Sequence, residues 1–405
     1  MAVWTRRKPS DRRGITLLLS LFALVILGAT VAAAFMVVRF DRSASSSNAY
    51  AGDAQNAAEA GLADVYATWD PTVQGALAVW TPSAPVSWTG GTRTLQSGKL
   101  FYESTVRRLN SQLFLVEATG WRGTTTRRAS TLTLSQWFRL VKPTIGVNAA
   151  VTVNDPVKFN GNSFLVSGIN ALPPQWAAGE CTAISAGNED DVVGVRSATG
   201  TGVTAQDANN VFGFPTRDAP NDPSVTSETF TNFVDYTFAT LGSQPGVKVL
   251  PNTTPYNGVG PVLDAGTGTC DKSVLLNLGE PYRPPSGGIV TQCTGYYPVV
   301  HGTGAQTKFA ANSRGQGTLL IDGDLELVGG FEWDGLIIVR NQIKVTGNGN
   351  KLYGAVLAAG ADVATTNGSV GGNVTINYSE CAITKAVNGA SLARPLGQRA
   401  WAQSY

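Results

Sequence analysis

Three carboxylates stand two residues apart in the segment LLIDGDLELVG, at Asp322, Asp324 and Glu326. Neighbouring carboxylates can act as general acid and base on a glycosidic bond, and clustered oxygens can bind calcium. A strand with one face in solvent produces the same spacing, because successive side chains alternate between its two faces. We therefore interpret the three carboxylates as an exposed strand face. The side chains predicted on the buried face are Ile321, Leu325 and Leu327.

Other residue types that support catalysis or metal binding are sparse. His301 is the only histidine, and no nucleophile elbow, HExxH motif or phosphate-binding loop occurs in the sequence. The sequence therefore predicts a protein that is not an enzyme and that has no metal and no cofactor. A polysaccharide-binding or polysaccharide-degrading protein remains an alternative, because Trp176, Trp333 and Trp401 could contribute to a sugar-binding surface.

Arginine is frequent in residues 99–141, and phosphate groups attract arginine. Aromatic residues rarely alternate with these arginines, and beyond residue 14 the chain holds 25 basic and 27 acidic side chains. A solvated sheet face is therefore expected, and nucleic acid is an unlikely partner. The arginines concerned are Arg107, Arg108, Arg122, Arg127 and Arg128.

The four cysteines are widely spaced, without a CxxC pair. Zinc sites need clustered ligands, so an even number of cysteines in an exported chain favours disulfides over zinc. Three pairings are open, and we favour Cys270 with Cys293 because a short loop joins them. The four disulfide candidates are Cys181, Cys270, Cys293 and Cys381.

The elements that must position these residues begin with an apolar run. Ile15 to Val38, which includes Leu19 and Gly28, is uncharged and long enough to cross a hydrocarbon core of about 30 Å. Five basic residues precede the run, so the positive-inside rule places the N-terminus in the cytoplasm and the chain beyond residue 40 outside. The sequence predicts a single-pass anchor in the cytoplasmic (inner) membrane, surrounded by lipid.

Helical periodicity continues beyond the apolar run, in YAGDAQNAAEAGLADVYATW, until Asp70-Pro71 ends it. The sequence predicts one helix from Ile15 to Trp69, about 80 Å long at 1.5 Å per residue. Its first half is lipid-soluble, and its second half is alanine-rich and amphipathic. The stripe predicted to face the protein consists of Tyr50, Ala54, Ala57, Ala58, Gly61, Leu62, Val65 and Trp69.

A basic leader (1–14) ending in Gly14, an apolar helix start and the segment AAEAGL (Ala57–Leu62) resemble PilX-type minor pilins of type IV pili. The resemblance covers roughly the first 70 residues. It implies that a prepilin peptidase cuts after Gly14 and leaves Ile15 as the new N-terminus. It also implies other pilins, minor pilins and the pilus assembly platform as partners.

Two other interpretations of this N-terminal segment stay open. One is an uncleaved anchor, and the other is a secretory signal cut after the A-x-A at Ala32–Ala34. Major pilins carry a glutamate at the fifth mature position, where this sequence has Leu19. The resemblance therefore implies a subunit with no neighbour above it, at the tip of a fibre or at its start.

Two different β patterns follow the helix. Residues 71–141 contain the alternating segments KLFYESTVRR, QLFLVEATG and RASTLTLSQWFRLV, which predict a small antiparallel meander. The segments GTLLI, GLIIV, GAVLA and GNVTI then recur every 18 or 19 residues, which predicts a right-handed parallel β-helix or solenoid over 142–405. The repeats begin at Gly317, Gly335, Gly354 and Gly372.

Earlier segments at Gly146 and Gly161 resemble these repeats, so the solenoid is expected to start near residue 145 and to be interrupted by an insertion at about 171–312. Within the insertion, residues 222–242 have a capping Asp222, an early Pro223 and a terminal Gly242, and they predict an amphipathic helix.

Together these patterns predict a mainly β protein: a pilin-like α+β module, with a helix at 15–70 and a meander at 71–141, followed by a β-helix domain. The function implied is that of a minor pilin-like structural protein in type IV pilus assembly or at the pilus tip. Its outer domain is expected at the cell surface, in contact with a surface glycan or a host ligand. A pseudopilin of type II secretion is the related alternative.

Overall fold

A computed structural model describes residues 13–155, 164–174, 176–181, 190–200, 209–251, 255–283, 290–347, 349–358, 374–397 and 401–404. The helices are α1 (Arg13–Ala67), α2 (Gln96–Lys99), α3 (Phe238–Gly242) and α4 (Glu380–Gly389), with 3-10 turns at Ala178–Glu180, Ser227–Phe230 and Thr291–Cys293. The strands to Asn257 are β1 (Trp88–Leu95), β2 (Leu100–Arg108), β3 (Leu113–Gly123), β4 (Arg128–Val141), β5 (Ala149–Val153), β6 (Phe164–Ser167), β7 (Val193–Ser197), β8 (Val211–Phe212), β9 (Asp218–Ala219), β10 (Asn232–Phe233), β11 (Tyr236–Thr237), β12 (Lys248–Leu250) and β13 (Tyr256–Asn257). The later strands are β14 (Val299–Gly302), β15 (Gln306–Ala310), β16 (Arg314–Ile321), β17 (Asp324–Val328), β18 (Glu332–Val339), β19 (Ile343–Thr346), β20 (Asn350–Ala358), β21 (Val374–Tyr378), β22 (Leu392–Pro395) and β23 (Trp401–Ser404).

Helix α1 is continuous for 55 residues, from Arg13, the first described residue, to Ala67, two residues before the predicted end. The chain leaves the helix at Thr68, ahead of Asp70-Pro71, where the residue before proline is disfavoured in helical geometry. Most of the stripe predicted to face the protein is buried. Tyr50 at its start is 36% exposed, and Leu62 is partly buried.

The buried stripe of α1 packs on an antiparallel sheet with the order β1-β2-β3-β4-β22, in which β23 also pairs with β4. The predicted meander is therefore present, in strands β1 to β4. Strands β22 and β23 follow the parallel strands in the sequence but return to this sheet. Leu392 of β22 pairs with Val141 of β4. We call α1, the antiparallel sheet and their connecting segments the helix–sheet unit (residues 13–141, 392–397 and 401–404).

Two glycines let α1 lie unusually close to this sheet. A Cβ atom at Gly120 of β3 would lie 2.2 Å from the Ala54 carbonyl oxygen, and one at Gly61 of α1 would lie 2.9 Å from the Ala118 Cβ. The Ser104 hydroxyl donates a 3.0 Å hydrogen bond to the Gly61 carbonyl. The helix is therefore seated by backbone contact as well as by apolar burial.

The remaining strands form mainly parallel sheets, which we call the parallel unit (residues 149–389). One sheet has the order β12-β14-β16-β18-β20-β21-β6-β8, with β5, β7 and β9 attached, and a second has the order β13-β15-β17-β19. From β14 to β20, successive strands alternate between the two sheets. Their facing side chains form one core that includes Phe309, Phe331 and Trp333.

The repeated glycines stack in register in the larger sheet. Gly317 pairs with Gly335, and Gly335 pairs with Gly354. Their φ angles are +108°, +135° and +139°, a region that favours glycine. A Cβ at Gly354 would lie 1.8 Å from the Gly335 carbonyl oxygen. The repeat therefore marks a backbone geometry that recurs from strand to strand; Gly161 and Gly372 lie outside the described residues.

Two expectations for residues 171–312 are wrong. Strands β7, β8, β9, β12, β13, β14 and β15 of this segment pair within the parallel sheets, so it is not a separate insertion. Residues 222–242 do not form one helix. They form a 3-10 turn, the hairpin β10–β11 and the five-residue α3, with Val234 at φ +62° in the hairpin turn. Most of the apolar stripe predicted for that helix is still buried, because Phe230, Phe233, Phe238 and Leu241 pack on the core of the parallel unit, whereas Val234 is 76% exposed.

Candidate membrane anchor and surface sites

The first half of α1 projects away from the rest of the protein. Within the described residues one helix is long and apolar enough to cross a membrane, and none of its apolar window is buried by the protein. Leu19 is 65% exposed and Val38 is 53% exposed, and a Cβ at Gly28 would meet nothing within 4 Å. Gly14 and Ile15 lie on the helical backbone, and the side chain of Ile15 is not among those that the structure describes.

Two polar side chains in this span, Ser20 and Thr30, are satisfied by the helix itself. Ser20 donates a 2.9 Å hydrogen bond to the Leu17 carbonyl, and Thr30 donates one of the same length to the Leu27 carbonyl. In a bilayer a polar group without a partner is costly, so these bonds adapt the segment to lipid. The exposed half of α1 therefore has the properties of a membrane anchor.

The three carboxylates at two-residue spacing each have a partner within the protein. Asp322 contacts His301 at 3.1 Å and Arg340 at 3.3 Å. Asp324 accepts a hydrogen bond from Asn341, and Glu326 forms ion pairs with Lys308 and Lys344. The neighbouring side chains predicted on the buried face, Ile321, Leu325 and Leu327, are fully buried, so the predicted alternation is confirmed. Among the described residues, no three His, Cys, Asp or Glu side chains are grouped to hold a metal ion.

Four of the five arginines noted in the sequence are engaged within the helix–sheet unit, and Arg127 lies exposed in the turn between β3 and β4. Arg107 pairs with Glu117 at 3.0 Å, and Arg122 forms an ion pair with Asp53 of α1. Further contacts are made by Arg108, which donates to four carbonyl groups, and by Arg128, whose guanidinium lies 4.1 Å from the Trp121 ring centroid.

The tryptophans considered as a sugar platform do not form one together. Trp176 and Trp333 are 6% and 1% exposed, and each indole N–H donates to a backbone carbonyl, of Pro281 and Gly317 respectively. The side chain of Trp401 lies outside the described residues.

All four cysteines are paired. Cys270 bonds to Cys293, as predicted, and Cys181 bonds to Cys381 on α4. The second bond joins residues 200 positions apart and ties the 3-10 turn at Ala178–Glu180 to α4. Helix α4 itself packs on the stacked glycines Gly317, Gly335 and Gly354, which we call the glycine column, with the Ala386 Cβ 3.0 Å from the position of a Cβ on Gly335.

A buried polar cluster beside this disulfide was not predicted. Arg283 is 4% exposed and donates to Glu180, to the Tyr297 hydroxyl and to Gln316. Burial raises the pKa of the Asp334 carboxyl well above its ordinary value, although Arg283 opposes the shift. Strand alternation places Gln316 and Asp334 on the outer face of the larger sheet, where the sequence pattern predicts exposure. The segment around Pro281 covers that face, and no sequence pattern predicts this long-range contact.

A cavity of about 400 Å³ lies where the two units meet. We call it the junction cavity. It is lined by the turn after α1 (residues 67–72), the loop at 244–247, Lys272, and the segments at 296–299 and 389–392. At its edge, Lys272 forms an ion pair with Asp70 and donates a 3.2 Å hydrogen bond to the Thr72 hydroxyl. Contacts of this kind join the helix–sheet unit to the parallel unit.

Comparison with known proteins gives a structural likeness to a pilin. No family model matches the chain, and no curated protein matches it. Among solved structures, the competence-associated pilin ComZ from Thermus thermophilus is 13% identical. The match covers 88% of this chain and 98% of that chain, with a TM-score of 0.24. A TM-score this low means that the two folds do not superimpose, so the functional proposal rests on the sequence and the geometry of this chain.

Proposed function

We propose that the protein is a minor pilin-like structural protein that is anchored in the cytoplasmic membrane and acts in type IV pilus assembly or at the pilus tip. The observation that carries this proposal is one continuous 55-residue helix with two environments. Its first half is apolar and free of protein contacts, and its second half is seated on an antiparallel sheet. A helix of this kind serves as a membrane anchor before assembly and as a packing surface for neighbouring helices after it.

The proposed role is structural rather than catalytic. In a filament, the exposed leucines, valines and phenylalanines of α1 would be buried against the helices of other pilins, which removes apolar surface from lipid or water. The parallel unit is too bulky to repeat along a thin shaft without crowding. A low-copy position near the tip therefore suits it, and Leu19 in place of a glutamate fits a subunit with none above it.

We propose in addition that the parallel unit is a β-solenoid displayed outward for adhesion. Its support is the alternation of strands β14 to β20 between two parallel sheets, with Gly317, Gly335 and Gly354 stacked in register within the larger sheet. Each turn of chain then covers the core of the turn before it. The two disulfides stiffen this unit, which is consistent with exposure outside the cell.

The decisive experiment is the N-terminal sequence and mass of the mature protein from native membranes. Cleavage after Gly14 leaves Ile15 as the new N-terminus, and the variant Gly14→Leu should retain the leader. The matched control is Ala34→Leu, which removes the A-x-A site and should leave maturation unchanged.

Two results would contradict the pilin proposal. An N-terminus at Phe35 that disappears in Ala34→Leu would identify a secretory signal. An intact leader in the wild-type protein would identify a simple anchor. In either case the parallel unit alone would have to account for the function.

A further inference from the structure

The junction cavity contains two buried polar nitrogen atoms without a partner. Among the described residues, these are the only buried side-chain nitrogen or oxygen atoms without a hydrogen bond: Trp69 Nε1 and Gln244 Nε2. Both residues line the junction cavity. Trp69 is 8% exposed, and its ring packs edge-on against Phe114 at 5.0 Å between centroids. A buried N–H without an acceptor costs free energy, so its retention beside a cavity points to a ligand that supplies the acceptor.

The charges at this cavity indicate the charge of that ligand. Asp70 and Lys272 are the only charged side chains in its lining, and they form an ion pair with each other. A free cation that would attract an anion is therefore absent from this lining. A neutral ligand with oxygen acceptors fits the indole N–H of Trp69 and the amide NH2 of Gln244 better than a carboxylate or a phosphate does.

The walls indicate the shape of the ligand. Three aromatic side chains line the cavity: Trp69, Tyr296 and Tyr297. Aromatic faces pack against the C–H surfaces of sugar rings, while sugar hydroxyl oxygens accept hydrogen bonds from donors such as indole and amide N–H. A volume of about 400 Å³ is within the range of small-molecule sites and far exceeds the space of a single water.

We propose that the junction cavity binds a neutral sugar, with Trp69 and Gln244 as hydrogen-bond donors and the aromatic walls as its apolar contacts. The inference does not depend on the pilin role, because it uses only the cavity and its lining. The cavity takes residues from both units, so a bound sugar would connect them. Free monosaccharides and the terminal residues of a glycan share this chemistry.

The test is a calorimetric titration of the full-length protein in a detergent without a sugar headgroup. The probes are glucose, galactose, mannose and N-acetylglucosamine, followed by short oligosaccharides of any sugar that binds. Saturable binding is expected for at least one sugar. Tighter binding of the oligosaccharide than of the monosaccharide would identify a glycan end as the source, and equal binding would identify the free sugar.

Two variants locate the site. Trp69→Phe keeps an aromatic ring against Phe114 but removes the indole N–H, so the dissociation constant should rise about tenfold, the value of one buried hydrogen bond. Gln244→Leu should have a similar effect. The control Trp137→Phe changes a 41%-exposed tryptophan outside the cavity and should bind as the wild type does.

An indole N–H resonance that disappears in Trp69→Phe provides a direct readout, and it should shift when sugar is added to the wild type. Because that N–H has no hydrogen-bond partner in the free protein, Trp69→Phe should lower the melting temperature only as far as the smaller buried ring requires. Failure of every sugar to bind, equal affinity in Trp69→Phe, or tighter binding of acetate than of any sugar would each overturn the proposal.

Discussion

Glycine has different roles in the helix–sheet unit and in the parallel unit. In the first, Gly61 and Gly120 have ordinary backbone angles and are required because α1 passes within contact distance of β3. In the second, Gly317, Gly335 and Gly354 hold positive φ angles that recur in register across three strands. Gly61 and Gly120 are needed because a side chain would not fit between α1 and β3. The glycine column also leaves no room for side chains, and in addition its φ angles are ones that favour glycine. The two units should therefore respond differently to added methyl groups.

The units also differ in covalent cross-links, since both disulfides lie in the parallel unit. Replacing Cys181 and Cys381 by alanine opens a loop of 200 residues, and replacing Cys270 and Cys293 opens one of 23. Loop-closure entropy predicts losses of about 5 and about 3 kcal/mol respectively. Denaturant unfolding with hydrogen exchange should show both losses in the parallel unit. Equal losses, or a loss in the helix–sheet unit, would contradict the comparison.

The glycine column is tested by Gly354→Ala. The new Cβ would lie 1.8 Å from the Gly335 carbonyl oxygen at a φ of +139°, so strain and overpacking together should cost about 4 kcal/mol. The matched control is Gly146→Ala, where a Cβ meets nothing within 4 Å. Thermal unfolding measures both. A melting temperature equal to that of the control would show that the column tolerates side chains.

The close approach of α1 is tested by Gly120→Ala. The added methyl would meet the Ala54 carbonyl and should cost about 2 kcal/mol, because the helix can shift as a body. Gly52→Ala is the control. Gly52 lies on α1, where an added Cβ meets nothing within 4 Å, so this variant should stabilise the helix by about 1 kcal/mol. Hydrogen exchange in the second half of α1 should rise in the first variant and fall in the second; the reverse would refute the seating described here.

The smallest effect is expected at the contact between the units. Burial alone would raise the pKa of Asp70, but hydrogen bonds from Lys272 and Thr72 outweigh it and hold the pKa below its ordinary value of 3.8. A carboxyl with a lowered folded-state pKa stabilises the fold above its unfolded-state pKa, and the contribution is lost as the pH falls below about 4. Asp70→Asn should cost about 1 kcal/mol at neutral pH and flatten the acid limb of a stability–pH curve. An unchanged acid limb would show that the ion pair contributes nothing.

Sequence patterns predicted the features that depend on local periodicity. The length of α1, its buried stripe, the meander and the alternation at Ile321, Leu325 and Leu327 follow from periods of 3.6 and 2 residues. The pairing of Cys270 with Cys293 followed from a short loop. The junction cavity was not foreseeable, because Trp69 and Gln244 are brought together by long-range packing. The prediction of a helix over residues 222–242 was wrong because the same spacing of apolar residues also fits a hairpin followed by a short helix.

The pairing of β22 with β4 has a mechanical consequence. The chain leaves the antiparallel sheet at Val141 and re-enters it at Leu392, and these two residues are partners in adjacent strands. A force that pulls the parallel unit outward therefore draws two neighbouring strands in the same direction. The load passes to the long ladder between β4 and β3, which runs from Leu113 to Gly123 and is stressed in shear. Hydrogen bonds loaded in shear bear the force together instead of breaking one after another. Tension on the parallel unit is therefore transmitted to the antiparallel sheet on which α1 packs.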